Sequence, residues 1–484
     1  MKFGKYLKRS LAILLACMML FGAVACAQDG DNGDVSVSVN NDDEDKFPSK
    51  DYGKAEFRVM YRWGAHAYDM FDVYAEGMSS NLIQNETFYR NKNVEAKYNV
   101  VITPLQNASP KDELRKNSLS GENTCEAMAD RMYDTFPLIS EGLLLSWNNI
   151  VDLSNEWWDQ NCVEQLKLGG KNYLMQGDLT PYSGNNYLTF IWFNKNLLAN
   201  AQLDDPYDDV KNMTWTFEKM YTMIKAVSED LDGDGERKPG DRFGMLTQVP
   251  YRLLTGFGVS FTTVDNDGYP ILKPFDSLMD EKINKVITLM TDVENTISIE
   301  RMVAGEDTSG FAHIYAAARS KFNEDELLFL EGVGNFSDEI TNGAIKYGVL
   351  PMPLFDESQE RYYNIVDEYS CAWGIPYMNT SLEMTGTVLE YMSYSSQSLV
   401  DAVYETTLKA KKMQALEDAN MLDIIFANGL YELAFVGNVG IRSMLEGMVS
   451  TGNISSTYKR NYKTINSKYT ELRTALEALS GKAQ

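Results

Sequence analysis

The sequence Ala55-Glu-Phe-Arg-Val-Met-Tyr61, with Arg62-Trp63-Gly64 after it, opens the series of elements that decides the fold. Apolar and polar residues alternate along it, as they do in a strand that is buried on one face. Apolar residues at helical spacing follow over 81–98, and 99–104 has the composition of a second strand. Strands that alternate with helices predict an α/β fold with a largely parallel sheet.

The same alternation continues with a polar helix at 111–118, a short strand at 127–129 that leads into Asp130-Arg131, and a helix at 137–147. Ligands of open α/β sheets bind beyond the carboxyl ends of the strands. We therefore expect Trp63, Asp130 and Arg131 to lie beside a ligand site.

The rest of the chain also predicts a mixture of strands and helices, without an internal repeat in the sequence. The predicted elements are strands at 173–177, 186–193, 344–350 and 369–375, a helix from Lys195, a helix capped by Thr216, a hairpin turn at 264–269, and mostly helices after Ser381. A chain of 484 residues suggests two to four lobes, since a domain takes about 100–200 residues.

Composition excludes several classes of function. The chain has 69 acidic and 44 basic residues and a net charge of −25. Because phosphate contacts supply most nucleic-acid affinity, so acidic a chain is a poor candidate for binding DNA or RNA. Only two histidines are present, His66 and His313, which excludes sites built on several imidazoles.

The N-terminal residues predict export and a lipid anchor. Residues 1–25 combine a basic start with a short apolar stretch, as in a signal peptide. Leu20-Phe-Gly-Ala-Val-Ala-Cys26 resembles a bacterial lipobox, in which the cysteine is acylated after cleavage; the alternative is plain cleavage after Ala25. Residues 26–50 are acidic and nearly free of large apolar groups, so we expect a disordered tether between Cys26 and the folded protein.

The segment Asp230-Leu-Asp232-Gly-Asp234-Gly-Glu236 follows the calcium-loop pattern D-x-D-x-D-G, with Asp241 at the closing position. Asp230, Asp232 and Asp234 would supply side-chain oxygens and Glu236 a backbone carbonyl. Lys238 occupies a position where an acid or a water-binding residue is common. A structural calcium ion is therefore predicted, and an acidic turn between two elements is the alternative.

Seven motifs follow one another along the chain: Val151-Asp-Leu-Ser-Asn-Glu-Trp-Trp-Asp159, Leu168-Gly-Gly-Lys-Asn-Tyr173, Gly177-Asp178, Phe193-Asn-Lys-Asn-Leu-Leu198, Trp215-Thr216, Tyr347-Gly-Val-Leu-Pro351 and Leu422-Asp-Ile-Ile-Phe426. Their order resembles that in extracellular solute-binding proteins of family 1, the sugar-binding type that serves ABC importers. The resemblance implies a two-lobed, periplasmic-binding-protein-like type 2 fold, with discontinuous lobes joined by a hinge. It implies an N-terminal lobe of 51–180 and about 372–435, and a C-terminal lobe of about 184–368 and 436–484.

The family implies a carbohydrate ligand, which needs flat aromatic rings beside carboxylates, amides and arginines. Candidate ligand-binding residues are Trp63, the pair Asp130-Arg131, Tyr187, Trp192 and Trp373. The pair is carried over from sugar-binding relatives that place Asp-Arg after the third strand. With 7 Trp, 28 Tyr and 21 Phe in the chain, core packing is the alternative for each aromatic residue.

These features predict a monomeric lipoprotein on the extracellular face of the bacterial cell membrane, attached through its lipid alone. It would bind a sugar or oligosaccharide by hinge closure and pass it to permease subunits, without chemical change. Two alternatives differ in class: a surface sensor or scaffold with the same fold, and a secreted polysaccharide-degrading enzyme with paired carboxylates. The sequence contains no recognisable nucleophile elbow, metal triad or phosphate loop.

Overall fold

A computed structural model describes residues 46–64, 69–334, 340 and 345–480. The predicted signal peptide, Cys26 and the tether as far as residue 45 lie outside the described residues. None of the helices in the described part of the chain is both long enough and apolar enough to cross a bilayer.

Fourteen strands form two five-stranded sheets and two small ribbons within the described residues. The strands are β1 (Ala55–Arg62), β2 (Val100–Asn107), β3 (Ala127–Arg131), β4 (Leu144–Leu145), β5 (Thr189–Asn194), β6 (Phe243–Thr247), β7 (Thr262–Val264), β8 (Pro270–Leu272), β9 (Thr296–Ser298), β10 (Leu327–Val333), β11 (Tyr347–Leu350), β12 (Asn364–Ile365), β13 (Cys371–Pro376) and β14 (Gly429–Leu430). The predicted hairpin is confirmed, since β7 pairs antiparallel with β8.

The two large sheets share one strand pattern. The first sheet has the order β2-β1-β3-β13-β4, and the second, read from its opposite edge, has the order β9-β6-β10-β5-β11. In each sheet three parallel strands are followed by two antiparallel pairings. The two sheets confirm the predicted mixed α/β fold with two lobes.

The prediction of a largely parallel sheet is wrong for both lobes, because the fourth strand of each sheet comes from a distant part of the chain. Strand β13 joins β3 of the first sheet antiparallel, with Trp373 opposite Ala129. Strand β5 joins β10 of the second sheet antiparallel, with Trp192 opposite Leu330. Each of these strands immediately follows a connection between the lobes, which brings the chain into the sheet in the reverse direction.

Helices pack around the sheets. They are α1 (Leu82–Tyr98), α2 (Pro110–Ser120), α3 (Met132–Thr135), α4 (Pro137–Ser140), α5 (Gln160–Gln165), α6 (Lys195–Asn200), α7 (Tyr207–Lys211), α8 (Phe217–Val227), α9 (Pro250–Gly256), α10 (Ser277–Thr291), α11 (Ile299–Met302), α12 (Ile314–Ser320), α13 (Leu382–Tyr394), α14 (Gln397–Asp401), a π-type segment Ala402–Lys412, α15 (Leu416–Phe426), α16 (Leu433–Val436), α17 (Ile441–Thr451) and α18 (Ile454–Ser480). Short 3-10 turns lie at Asn185–Tyr187 and Lys321–Glu324.

Capping residues mark the helices that the sequence predicts best. The Asn81 side chain accepts hydrogen bonds from the N–H groups of Ile83 and Gln84, which satisfies donors at the start of α1. Thr216 accepts from the Lys219 N–H and begins α8 as predicted. Both caps confirm that a short polar side chain before an apolar repeat starts a helix here.

Two predicted elements differ from the structure. The helix expected at 137–147 ends at Ser140, because Gly142 has a φ of +72° and the chain then turns into β4. The strand expected at 173–177 is irregular, with isolated bridges from Met175 to Trp373 and from Gly177 to Trp158.

Two segments, 180–188 and 364–370, connect the large sheets and lie side by side. The Asp367 N–H donates to the Tyr187 carbonyl at 2.9 Å, and the Cys371 N–H donates to the Ser183 carbonyl at 2.7 Å. An antiparallel bridge joins Leu188 to Val366. We call this pair of segments the crossing. The predicted residue boundaries of the lobes stay a prediction.

Residues 46–50 pack against the first lobe, so the tether predicted to extend to residue 50 is too long at this end. Phe47 is 7% exposed, and its ring lies 5.3 Å from Tyr391 and 4.7 Å from Tyr394. The Lys46 ammonium lies 4.2 Å from the ring of Trp157. Burial of one aromatic side chain is enough to hold a short segment to the surface.

Candidate functional site

The parallel strands of the first sheet end together at one edge. Their last residues are Arg62, Asn107 and Arg131. Trp63 follows directly, is half-buried, and donates its backbone N–H to the Asn107 carbonyl at 2.9 Å. Because ligands of such sheets bind beyond the carboxyl ends, this edge is where a site is expected. The structure brings Trp63 and Arg131 to it.

A network of ion pairs lies behind this edge. Arg62 donates to Asp130 at 2.5 Å and to Asp134 at 3.0 Å, and Lys111 and Arg131 also donate to Asp134. Burial alone would raise the pKa of Asp134, but the hydrogen bonds and charges of Lys111 and Arg131 hold it below its usual value. Asp130 is fully buried. In this structure Asp130 therefore supports Arg62 and offers no surface to a ligand.

The end of β3 contacts the crossing through Arg131 and Tyr133. The Arg131 guanidinium lies 5.1 Å from the centre of the Tyr369 ring, within the range of a cation–π contact. The rings of Tyr133 and Tyr369 have their centroids 5.6 Å apart. The Tyr133 N–H donates to the Glu368 carbonyl at 2.9 Å. The edge of the first sheet and the crossing thus form one continuous surface.

A cavity of about 290 Å³ adjoins this surface, between α3 of the first lobe and α17. Its lining combines two aromatic rings, a carboxylate, a guanidinium, an amide and a hydroxyl: Tyr133, Glu368, Ala434, Phe435, Asn438, Arg442 and Ser443. Helix α17 packs on α9 and α10, which flank the second sheet. The cavity therefore lies where elements of both lobes meet, and we call it the interlobe cavity.

Hydrogen bonds orient the polar groups of the interlobe cavity. Glu368 forms an ion pair with Arg442 and accepts from the Tyr251 hydroxyl at 3.1 Å. The Arg442 Nη2 also donates to the Tyr251 oxygen at 2.8 Å, and burial raises the pKa of Tyr251 to about 12. Asn438 Nδ2 donates to the Tyr133 hydroxyl at 2.7 Å. These contacts hold donors and acceptors in fixed positions around a space large enough for a small ligand.

Two of the predicted aromatic ligand residues are core residues in this structure, and a contact of either with a ligand stays a prediction. Trp192 and Trp373 have no exposed surface. Trp192 packs against Phe190 and Tyr347 of the second sheet, whereas the Trp373 indole donates to the Thr180 hydroxyl at the start of the crossing. Each is a large apolar residue in a central strand, and burial of its ring stabilises the sheet it belongs to.

Tyr187 lies in the crossing and is 7% exposed. Of the six predicted ligand residues, Trp63 and Arg131 share the edge of the first sheet, Asp130 is buried behind it, Tyr187 lies at the crossing, and Trp192 and Trp373 lie in separate cores. The structure therefore brings together part of the predicted set.

Sequence reasoning missed the residues that line the interlobe cavity. Tyr133 comes two residues after the predicted Arg131, and Glu368 directly precedes the predicted strand 369–375, so a wider window at both strand ends would have found them. Asn438 lies three residues before helix α17, and Arg442 lies in the first turn of that helix. No local motif in the sequence connects those two residues to the first lobe.

The second sheet presents a different set of polar groups at the carboxyl edge of its parallel strands. Arg252 donates to Asp367 of the crossing at 3.0 Å. Glu331 is buried, and burial raises its pKa although Arg252 opposes the shift. Among the described residues, Thr189 Oγ1, Glu331 Oε2 and Arg252 Nε are buried without a hydrogen-bond partner.

The predicted calcium loop brings three carboxylates together. One oxygen from each of Asp230, Asp232 and Asp234 lies within 4.8 Å of the others. Lys238 donates to Asp232 at 2.8 Å and also pairs with Asp234, so an ammonium ion already neutralises part of the cluster. The three aspartates fit a calcium ion by donor type, provided that Lys238 moves away.

The remaining two predicted calcium ligands have other roles in the loop. Asp241 is buried and accepts from the N–H groups of Leu231 and Lys238, at 3.0 and 2.9 Å. The Glu236 side chain is exposed, and its N–H donates to Asp234 at 2.8 Å. Asp241 therefore closes the loop through backbone hydrogen bonds.

Comparison with solved structures identifies the fold. An ABC substrate-binding protein from Listeria monocytogenes, in complex with cycloalternan, matches 88% of this chain and 99% of its own, at 12% identity and a TM-score of 0.52. A sugar transporter from Rhizobium etli in an open conformation matches the same shares, at 12% identity and a TM-score of 0.54. The chain has the fold of the ABC substrate-binding proteins.

The maltose/maltodextrin-binding domain MalE from Bdellovibrio bacteriovorus, bound to maltotriose, shares this substrate-binding-protein fold with the chain. It matches 88% of this chain and 99% of its own, at 11% identity and a TM-score of 0.50. No family model matches the sequence, and no curated protein matches it. The likeness thus covers nearly the whole length and resides in the arrangement of the strands and helices.

Proposed function

We propose that the protein captures an extracellular carbohydrate between its two lobes and delivers it unchanged to the permease of an ABC importer. The observation that carries this proposal is the interlobe cavity, in which aromatic rings stand beside a carboxylate, a guanidinium and an amide. Solved structures with the same fold include proteins bound to cycloalternan and maltotriose. They are binding proteins, which supports capture without chemical change.

The cavity suits a sugar for a physical reason. A pyranose has apolar C–H faces and a rim of hydroxyl groups, so it needs flat rings and hydrogen-bonding groups in the same small space. Tyr133 and Phe435 supply rings, while Asn438, Arg442 and Glu368 supply donors and acceptors. At about 290 Å³ the cavity is at the lower limit of ligand pockets. One sugar unit, free or at the end of a longer chain, would fill it.

Hinge closure would take place at the crossing. Tyr133 belongs to the first lobe, Arg442 lies on α17 beside the second, and Glu368 lies between them in the crossing. A ligand that contacts all three binds more tightly when the lobes approach, and its differential affinity for the closed state shifts the equilibrium. The permease would then recognise the closed state.

We also propose that Cys26 carries the lipid anchor and that the acidic tether begins after it, on the extracellular face of the cell membrane. The packing of Phe47 against the first lobe would end the tether near residue 46. The tether would then reach the membrane from the first lobe, and the second lobe would be free to move during closure. Mass spectrometry of the membrane-extracted protein tests acylation at Cys26.

Calcium binding at Asp230, Asp232 and Asp234 is a further part of the proposal, with a structural role. The carboxylates repel one another, and Lys238 offsets only part of that charge. A bound calcium ion would displace Lys238 and hold the loop. We expect calcium to raise the melting temperature of the protein and the chelator EGTA to reverse the rise. Equal melting temperatures with and without calcium would contradict the site.

A saccharide screen tests the main proposal. Mono- and oligosaccharides should raise the melting temperature of the wild-type protein, because a ligand that binds only the folded state stabilises it by RT ln(1 + [L]/Kd). Tyr133→Ala should weaken the best ligand about tenfold, since it removes a ring from the cavity. Tyr377→Ala is the matched control, because that tyrosine is 59% exposed and outside the cavity.

Two outcomes would contradict carbohydrate capture. One is the absence of stabilisation by every saccharide, and the other is equal weakening by both tyrosine variants. Product analysis of the same mixtures would reveal hydrolysis, which would replace binding by an enzymatic function.

A further inference from the structure

The ionised groups that line the interlobe cavity are already paired with each other. Glu368 and Arg442 are the charged residues of the lining, and they form an ion pair. The Glu368 side chain is 2% exposed, whereas that of Arg442 is 33% exposed. The lining therefore carries no net charge, and its buried carboxylate depends on Arg442 for its counter-ion.

Further charged groups lie next to the cavity, outside its lining. Arg131 donates to Asp134 behind the edge of the first sheet. Arg252 donates to Asp367, which directly precedes Glu368 in the crossing, at 3.0 Å. Asp134 also accepts from Arg62 and Lys111, and Lys468 donates to the Asn438 carbonyl at 3.3 Å. None of these outer cations lines the cavity, so the Glu368–Arg442 pair is the charged group that a ligand in it meets directly.

A charged ligand would have to break the pair in the lining. A carboxylate on the ligand would compete with Glu368 for Arg442 and leave Glu368 buried without a counter-ion, which is strongly unfavourable. An amine on the ligand would in turn compete with Arg442 for Glu368. A hydroxyl needs neither exchange, because an arginine has five N–H donors and the contacts described for Arg442 use its Nη2 alone.

We infer that the interlobe cavity selects uncharged saccharides and discriminates against acidic and amino sugars, through the prior pairing of Glu368 with Arg442. This inference rests on the proposed function and specifies the class of ligand. If the pairing sets the charge preference, a substitution of either Glu368 or Arg442 should change which charged sugars bind, and this effect can be measured separately from carbohydrate binding itself.

Matched sugars that differ in charge provide the first experiment. Calorimetric titration of the wild-type protein would use glucose, glucuronate and glucosamine, then galactose, galacturonate and galactosamine, and then cellobiose, cellobiouronate and the β-1,4 glucosamine dimer. We expect the neutral member to bind at least tenfold more tightly than either charged member in the series that binds best. A charged sugar that binds as tightly as its neutral counterpart would overturn the inference and leave carbohydrate capture intact. Failure of all nine sugars to bind would contradict the proposed function and this inference with it.

Substitution of one partner provides the second experiment. Glu368→Gln keeps the shape of the side chain and frees Arg442, so the affinity ratio of glucuronate to glucose should rise at least tenfold. Arg442→Gln frees Glu368 and should raise the ratio of glucosamine to glucose instead. Glu357→Gln is the control, because that glutamate is exposed and outside the cavity, and both ratios should stay at their wild-type values.

The two variants keep the test decisive if one of them fails to fold. A circular dichroism spectrum and a melting curve identify the folded variants. Unchanged ratios in a folded Glu368→Gln or Arg442→Gln protein would overturn the inference, because they would mean that the ion pair does not set the charge preference.

Discussion

The two large sheets have the same strand pattern but differ in how the polar groups at their carboxyl edges are satisfied. At the first sheet, Arg62, Asp130 and Asp134 belong to one network of hydrogen-bonded ion pairs. At the second, Glu331 forms no ion pair with a described residue, although both edges hold a carboxylate oxygen that is buried without a hydrogen-bond partner, Asp130 Oδ2 at the first and Glu331 Oε2 at the second. Strand order alone therefore does not determine the electrostatics of a lobe.

The buried charged groups at the two sheet edges therefore differ in how they affect stability. A buried network in which each charge is paired is rigid, and removing one member leaves the others without compensation. A buried polar group without a hydrogen-bond partner lowers the stability of this conformation. A conformational change, a water molecule or a ligand that supplies the missing hydrogen bond would stabilise it. The carboxylates of the first edge are held by cations, whereas burial without an ion pair raises the pKa of Glu331 at the second edge.

Asp134→Asn should have the largest effect on stability, because Asp134 accepts from three cations. Loss of its charge should lower the free energy of unfolding by about 3 kcal/mol, the low end for a buried pair, since Lys111 and Arg131 are partly exposed. Because the folded protein lowers the pKa of Asp134, its carboxylate stabilises the fold at pH values above the usual aspartate pKa. This stabilisation is lost as the pH falls through the lowered pKa, so the penalty of Asp134→Asn should shrink over that range.

Urea unfolding at several pH values measures this penalty. Asp208→Asn is the control, since its carboxylate is 89% exposed and pairs with Lys211 at 3.6 Å. An exposed pair of this kind contributes less than about 1 kcal/mol. If Asp134→Asn lowers the free energy of unfolding no more than Asp208→Asn does, the buried network is no more stabilising than a surface ion pair, which would contradict the prediction.

Glu331→Gln at the second edge should have a smaller effect of opposite sign. Burial raises the pKa of Glu331 in the folded protein, so its protonated form stabilises the fold at pH values below the usual glutamate pKa. This contribution is lost as the pH rises through the raised pKa. The glutamine keeps an acceptor for the Val249 N–H and carries no buried charge. We expect a gain of about 1 kcal/mol at neutral pH, which disappears at acidic pH.

The same unfolding series tests this gain, with the exposed Glu357→Gln as its control. A loss of stability at neutral pH would mean that Arg252 stabilises the Glu331 carboxylate by more than burial destabilises it. The two edges would then be alike in electrostatics as well as in strand order.

Much of the fold follows from local signals in the sequence. Asn81 and Thr216 cap helices in the positions that their chemistry predicts, and the first strand occupies 55–62 as its alternation indicates. The reversed direction of β13 could not be predicted in this way. It results from a connection between lobes that no local pattern encodes.

The site was predicted less completely, for a similar reason. Trp63 and Arg131 lie at a strand end, and the rule that ligands bind at carboxyl ends locates them. Residue type alone favours Trp192 and Trp373 as ligand residues, but an aromatic residue in a central strand is buried on both sides by neighbouring elements. Glu368 and Arg442 meet across 74 residues of sequence, a proximity that only the folded chain creates.

A crystal structure of the protein with the saccharide that stabilises it most would show whether the interlobe cavity holds the ligand. We expect one sugar ring in the interlobe cavity, against Tyr133 or Phe435, with its hydroxyls hydrogen-bonded to Arg442 and Asn438 and with the Glu368–Arg442 pair intact. A saccharide bound on the surface of one lobe alone, with the interlobe cavity empty, would contradict it.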